Sequence, residues 1–486
     1  MSDSSDGGDP NGNVRAPRCH WGYSFPVTTR APAAAGRQRR RLLRLRLRLH
    51  PAQTVVTGFA LAILTGTALL MLPISKVGPG GASFIDALFT ATSAVCVTGL
   101  TVVDTPTYWT PFGQVVIMAL IQLGGLGIMI FASLIGLVLA RKLSVRSRLN
   151  TAAEAKAVGF ADVRGLVRGI LKITVLIELG VFILLAVRFM LGYGYGVGEA
   201  AWHAAFLAVS SFNNAGFALY TDNLMGFVAD PFICLPISAA IILGGLGFPV
   251  IMQLRKEFTK PLHWSMNTKL VLWGTTVLLI GGTAYITLIE WNNPATLGTL
   301  DPGARLLAGF FQSVQTRTAG FNSIDIGGMH DASWLGMDVL MFIGGGPAGT
   351  AGGIKVTTFA VLFFIMLTEL RGEGSVNIFG KRLSRAVHRQ AITVVLIAVA
   401  AVVAGTAVLL LLTGLDLDRV LFEAVSAFAT VGLSTGITAG LPDAAKIVLV
   451  LLMFLGRLGP LTLGTAIALR ERRVPYEFPK ERPAIG

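Results

Sequence analysis

The 486-residue chain is 53% hydrophobic and only 14% charged, with a mean hydropathy of +0.68, whereas soluble globular chains are about 25% charged; a soluble fold is excluded. Its net charge of +14 gathers in short basic runs between apolar stretches of roughly 20 residues, the length at which a helix crosses about 30 Å of hydrocarbon. Cys19, Cys96 and Cys234 stand in neither CxxC nor Cys/His spacing, and no nucleotide-binding glycine loop, HExxH or GxSxG occurs, which removes disulfide frameworks, zinc sites and the motif-bearing enzymes.

Residues 1–50 run from a Ser/Asp/Gly-rich start into Arg37-Gln38-Arg39-Arg40-Arg41 and then Arg44, Arg46 and Arg48 alternating with leucine. No apolar stretch with a cleavage site follows, so this is no signal peptide. Placed just before a membrane helix, it reads as a disordered cytoplasmic arm that meets anionic lipid headgroups rather than nucleic acid. Spanning segments are expected near Val55–Leu72, Gln114–Leu139, Ile170–Met190, Phe232–Met252, Leu270–Ile289, Trp334–Leu370 (interrupted), Ile392–Leu412 and Ala444–Leu469. Lys and Arg collect in 37–48, 141–172, 255–269, 371–389 and 470–482, which puts those segments and both termini in the cytoplasm of a multi-pass cell-membrane protein. Acids collect on the opposite side, among them Asp86, Asp230, Glu290, Asp338 and Glu423; a negative outer mouth would concentrate cations.

The outer connections are too apolar to be simple loops, and four of them superimpose on one glycine: FTATSAVCVTGLT on Gly99, FLAVSSFNNAGFA on Gly216, FFQSVQTRTAGFN on Gly320 and FEAVSAFATVGLS on Gly432. Phe89, Phe206, Phe310 and Phe422 lie ten residues before it, Ser93, Ser210, Val314 and Ser426 six before, and Leu100, Phe217, Phe321 and Leu433 just after. This is an internal repeat of about 110 residues. Each returning helix then carries small residues: LGGLG at 123–127, LGGLG at 243–247, GGGPAG at 344–349 and LGRLG at 455–459. Close helix packing accounts for the glycines but not for their registration.

A pore helix such as Phe84–Val95 or Ala304–Val314, at about 12 residues and about 18 Å, reaches only the middle of the bilayer. The chain must come back as an extended strand, and unpaired carbonyls at that depth are tolerated only where they line a wet path or bind something. Four such strands about one axis would offer a ring of oxygens in place of an ion's hydration shell, with glycine keeping side chains out of the way. The pore helices would aim their negative C-terminal ends at the axis. Residue 344 to residue 353 hold six glycines and a proline, so a continuous helix there is excluded. Arg457 stands mid-span, where a charge demands a partner or a cavity; Lys355 is similar but close enough to the interface to snorkel. Arg317 is expected to point behind the third strand to an acid or carbonyl, Glu178 to pair with a neighbour or line a dimer interface, and His203, Trp202, Trp264 and Trp273 to be interfacial anchors.

With VTGLT at 97–101, NNAGF at 213–217, RTAGFN at 317–322, TVGLS at 430–434, GGGPAGTAGGIK at 344–355 and Arg457, the chain resembles the Trk/Ktr/HKT superfamily of potassium transporters, and within it the TrkH/KtrB-type membrane subunits, from residue 51 to about residue 470. The resemblance implies an all-α integral membrane fold: four helix–pore loop–helix repeats (51–150, 151–255, 256–375 and 376–486, after the tail 1–50), eight crossings plus four re-entrant pore helices, forming a single-chain pseudo-tetramer around one pore. It implies that carbonyls of Val97, Thr98, Gly99, Asn214, Ala215, Gly216, Thr318, Ala319, Gly320, Thr430, Val431 and Gly432 coordinate K+. It further implies a gate made of the intramembrane loop Gly344, Gly345, Gly346, Pro347, Ala348, Gly349, Thr350, Ala351, Gly352 and Gly353 with Lys355 and Arg457. A serine at the first filter glycine goes with sodium permeation in that superfamily. The implied assembly is a homodimer on a cytoplasmic ring of nucleotide-binding TrkA/KtrA-type regulatory subunits; this chain has no nucleotide site of its own. Sodium as a second ion stays open, as does the rival class, a K+/Na+ or K+/H+ symporter with alternating access, which typically shows inverted repeats and midplane carboxylates.

Overall fold

A computed structural model of the chain describes residues 51–147 and 163–459. The arginine-rich arm, the stretch 148–162 and the far end of the eighth expected span lie outside the described residues.

The first repeat is α1 (Pro51–Leu70), the short α2 (Phe84–Val95) and α3 (Pro111–Ser147). The second is α4 (Val163–Tyr193), α5 (Val197–Asn213) and a broken helix, α6 (Pro231–Leu246) and α7 (Phe248–Glu257). The third is α8 (Met266–Glu290), α9 (Pro302–Gln315), α10 (Asp331–Phe342) and α11 (Val356–Leu370). The fourth is α12 (Arg385–Thr413), α13 (Leu417–Ala429) and α14 (Asp443–Leu458). Starts follow local chemistry: the Ser83 hydroxyl accepts from the Asp86 N–H at α2, the Asp230 carboxylate from Phe232 N–H at α6 and Ser265 from Thr268 N–H at α8, each relieving an orphan first-turn donor. Prolines open α3, α6 and α9, where their missing N–H costs nothing.

Among the described residues, five helices are long and apolar enough to cross a membrane, six if the bent α6–α7 pair is one span. Leu61, Leu176, Ile183, Leu288, Leu396 and Leu411 are exposed on them, an apolar surface that a water-soluble protein would not leave open. The expected span over Phe232–Met252 is broken: α6 and α7 meet at 99°. Gly247 has φ +91°, a conformation side chains resist, and Pro249 begins a new helix rather than continuing the old one. The second pore helix, at 17 residues, is also longer than the expected 12 or so.

The returning helix of each repeat packs on the pore helix of the next: α3 on α5, α6 on α9, α10 on α13, and α14 back on α2. The packing therefore closes on itself, with no first or last member.

Candidate ion-conduction site

Each pore helix ends in the same backbone gesture. The residue two before the repeat glycine adopts positive φ in all four repeats, Val97 (56°), Asn214 (60°), Thr318 (69°) and Thr430 (51°), and so do Gly99 (92°), Gly216 (71°), Gly320 (80°) and Gly432 (98°). Three of the four non-glycine residues are β-branched, for which a left-handed backbone is an outlier costing about 1–2 kcal/mol. The same outlier recurring at one register in four places marks a conformation the fold enforces.

The glycines are neighbours across strands. A Cβ built on Gly99 would strike the carbonyl oxygen of Ala215, one on Gly216 that of Ala319, one on Gly320 that of Val431 and one on Gly432 that of Thr98. Each would also come within 3.0–3.1 Å of the next glycine's Cα. The contacts close a ring of four backbone segments, and no residue but glycine fits at any of its corners. Eleven of the twelve candidate filter residues are buried and Gly432 is half-buried. Each strand also carries a buried polar side-chain atom without a hydrogen-bond partner: Thr98 Oγ1, Asn214 Nδ2, Thr318 Oγ1 and Thr430 Oγ1.

Scaffolding behind the strands follows the repeat in the first and fourth repeats and departs from it in the second, where the buried Ser210 Oγ has no hydrogen-bond partner, and in the third. Ser93 Oγ accepts from Gly99 N–H at 3.0 Å and Ser426 Oγ from Gly432 N–H at 3.1 Å. In the third repeat, where valine replaces that serine, Gln315 Oε1 accepts from Phe321 N–H at 3.1 Å instead. The registered glycines of the returning helices also acquire a purpose. Side chains at Gly124, Gly244 and Gly456 would collide with the carbonyls of Val95, Phe212 and Phe428, each four residues before its filter glycine. They let the returning helix press on the base of its own repeat's glycine strand, so the small-residue packing and the registration have one cause.

The loop between α10 and α11 is buried beneath these strands and docked by hydrogen bonds. Gly346 N–H donates to Gly245 O at 2.7 Å, Thr350 N–H to Gly244 O at 3.1 Å and Phe248 N–H to Ala348 O at 3.2 Å. These carbonyls and that N–H are available because α6 breaks at Gly247, where any side chain would meet Pro347 O. Within the loop, Gly344 N–H donates to Ile354 O at 2.8 Å. Above, Thr350 Oγ1 donates to Asn214 Oδ1 at 3.1 Å, and Gly352 lies against Thr430 Oγ1. The sequence signals the loop itself; the bend that receives it was carried only by Pro249 after LGGLG.

Arg457, 4% exposed, donates through Nη1 to Thr350 O and through Nη2 to Gly124 O at 3.5 Å. Lys355 Nζ donates to Ala351 O at 2.7 Å. Both cations thus hold a loop carbonyl, Thr350 O or Ala351 O, of the kind left free where a helix is broken. Arg317 turns behind the third strand to Thr275 O (3.2 Å) and Gly344 O (3.1 Å). Glu178 takes amide donors from Gln122 and Asn213. Trp202 donates to Gln114 Oε1 at 3.0 Å, and His203 stacks against Tyr220.

Three of the acids expected at the outer mouth serve the local structure instead. Glu290 and Glu423 are buried and committed to structure: Glu290 accepts from Asn293, Thr296, Ser333 and His330 N–H, and Glu423 from Ser434, Thr435 N–H and Thr438. Asp230 is paired with Arg188 at 2.7 Å. Buried carboxylates persist only when donors satisfy them, so these three hold their loops and helix starts in place.

A multi-helix apolar protein with a closed ring of left-handed backbone at the inner ends of short helices is a membrane transport protein. The model of the TrkH family, cation transport protein, matches residues 46–473. The Ktr system potassium uptake protein B of Bacillus subtilis (strain 168) is 41% identical over 426 residues, covering 88% of this chain and 95% of that protein. The potassium/sodium uptake protein NtpJ of Enterococcus hirae is 36% identical over 450 residues, 91% of this chain and 99% of that one. The crystal structure of the potassium transporter TrkH from Vibrio parahaemolyticus shares the fold, with a TM-score of 0.67 at 19% identity over 85% of this chain and 83% of that one. The chain belongs to the TrkH cation transport family, whose members are transporters and not enzymes.

Proposed function

We propose that the chain is a potassium uptake protein of Ktr/TrkH type, channel-like in mechanism, in the cytoplasmic membrane with both termini in the cytoplasm. Four repeats, 51–150, 151–255, 256–375 and 376–486, form a single-chain pseudo-tetramer around one pore. Carbonyls of Val97-Thr98-Gly99, Asn214-Ala215-Gly216, Thr318-Ala319-Gly320 and Thr430-Val431-Gly432 replace the hydration shell of K+. The loop 344–353 with Lys355 and Arg457 obstructs the path below, two fixed cations adding an electrostatic barrier to a steric one. The chain acts as a homodimer under a cytoplasmic nucleotide-binding ring, so nucleotide control arrives in trans.

The observation that carries this reading is the closed ring of four glycines preceded by four left-handed residues. It supports backbone coordination rather than the midplane carboxylates of an alternating-access symporter. The test is flux in liposomes holding the purified protein and a K+ gradient, with Na+ absent and pH clamped. K+ should flow down its gradient alone; a strict need for a Na+ or H+ gradient would replace the channel with a symporter. Sodium as a second permeant ion is favoured by the likeness to NtpJ, and the same liposomes measure it with Na+ as the only cation.

A further inference from the structure

Glu178 stands in the middle of α4, where an isolated carboxylate is costly and its presence asks for a role. Among the described residues none of the ion pairs involves it. Its partners are two amides from other elements. Gln122 of α3 donates through Nε2 to Glu178 Oε2 at 3.3 Å, and Asn213, the last residue of α5, donates through Nδ2 to Glu178 Oε1 at 3.2 Å. The same Asn213 amide reaches Gln122 Oε1 at 2.7 Å and Val209 O at 2.9 Å, while its Oδ1 lies where a side chain at Gly125 would have to go. Asn213 is therefore held through its Nδ2, while its buried Oδ1 has no hydrogen-bond partner.

The next residue is Asn214, left-handed at φ 60° and the first of the second strand. Its side chain accepts from Thr350 of the loop at 3.1 Å. Glu178 is thus one side chain and one peptide bond removed from the filter ring, and one further hydrogen bond from the loop. At the corresponding position, three before the glycine, the other repeats have Cys96, Arg317 and Ala429. Arg317 binds two carbonyls, and neither cysteine nor alanine can reach a carboxylate with an amide. The second strand is the one braced by a mid-membrane acid, so the fourfold ring is asymmetric in how firmly it is held.

Resting on the pore reading above, we infer that Glu178 is a positioning residue for ion discrimination: it fixes the second filter strand through Asn213 and, through Asn214 and Thr350, the seat of the loop. A carboxylate can accept from both amides at once. Glutamine has the same shape but one acceptor, so Glu178→Gln turns one of the two contacts into donor against donor and loosens the strand without leaving a hole.

The experiment uses the full chain in liposomes and reads the K+/Na+ permeability ratio together with maximal K+ flux, for wild type, Glu178→Gln and Gln122→Met. Both variants should run as wild type on size exclusion and lower the ratio by about three- to tenfold, the scale of one lost hydrogen bond of ordinary net strength. An unchanged ratio in folded Glu178→Gln, or a fall in flux with the ratio constant, overturns the inference and makes Glu178 ordinary helix packing. Should Glu178→Gln fail to assemble, Gln122→Met decides in the same way. A wild type that passes no K+ sinks the pore reading instead, so the two failures are told apart by the first trace.

Discussion

Replacing Gly99 with serine forces two changes at once. The backbone there sits at φ +92°, which costs a residue with a Cβ about 1–2 kcal/mol. The new Cβ also overlaps the Ala215 carbonyl oxygen and falls 3.1 Å from the Gly216 Cα; both are backbone, so the second strand must shift or the first must turn. Either movement widens one side of the ring and brings a hydroxyl to its edge. On the proposed pore reading a wider ring would hold K+ less evenly, and a mobile hydroxyl could follow a smaller ion inward. The tenfold loss of K+/Na+ discrimination expected here corresponds to about 1.4 kcal/mol, no more than the backbone strain alone. The assay is the reversal potential in planar bilayers with K+ on one side and Na+ on the other. Gly99→Ala is the control: it imposes the same overlap without the oxygen and should lower K+ flux with less Na+ gained. A permeability ratio equal to wild type in folded Gly99→Ser would mean that Gly99 does not belong to the ion path.

Three further outcomes follow from the geometry. Deleting Gly345–Gly349, or changing Arg457→Ala, should raise K+ flux several-fold without any cytoplasmic partner, and the double change should be less than additive because Arg457 binds the loop at Thr350 O; flux at or below wild type in a folded deletion removes the gating role. A single cysteine at Ser384 should react with an impermeant maleimide only after the inner face is opened, and labelling in intact cells would reverse the topology. Glu290→Ala should lower detergent-solubilised stability by about 3 kcal/mol, read as a clear drop in melting temperature, since four donors lose their acceptor; an unchanged melting temperature would mean that water replaces the carboxylate.

Short-range backbone demands were the legible part of this protein. Glycines at 99, 216, 320 and 432, with their fixed flanking phenylalanines, announce the strands because each position tolerates one residue type. The loop at 344–353 is legible for the same reason: six glycines and a proline exclude a helix. What depends on distant partners was hidden. The turn at Gly247 exists to receive the loop about a hundred residues later in the chain, and LGGLG reads identically at 123–127, where α3 runs straight through it. Glu290 and Glu423 look like surface acids in sequence because nothing local reveals that Thr296 and Ser333, or Ser434 and Thr438, fold over them. Glu178 and Asn213 are ordinary polar residues until α3, α4 and α5 are brought together.

The cyclic packing, in which α14 returns to α2 and Arg457 reaches Gly124 across 333 positions of sequence, bears on how the protein is made. Helices enter the membrane in order from the ribosome, yet the ring lacks one corner until the fourth repeat arrives. Three-quarters of the chain can be inserted with Gly99 against Ala215 and Gly216 on one side and the Thr98 carbonyl facing an empty place on the other until Gly432 docks. Such long-range closure is intrinsically late in folding. The ring of glycines is thus complete only with the segment that also brings Arg457 to the loop.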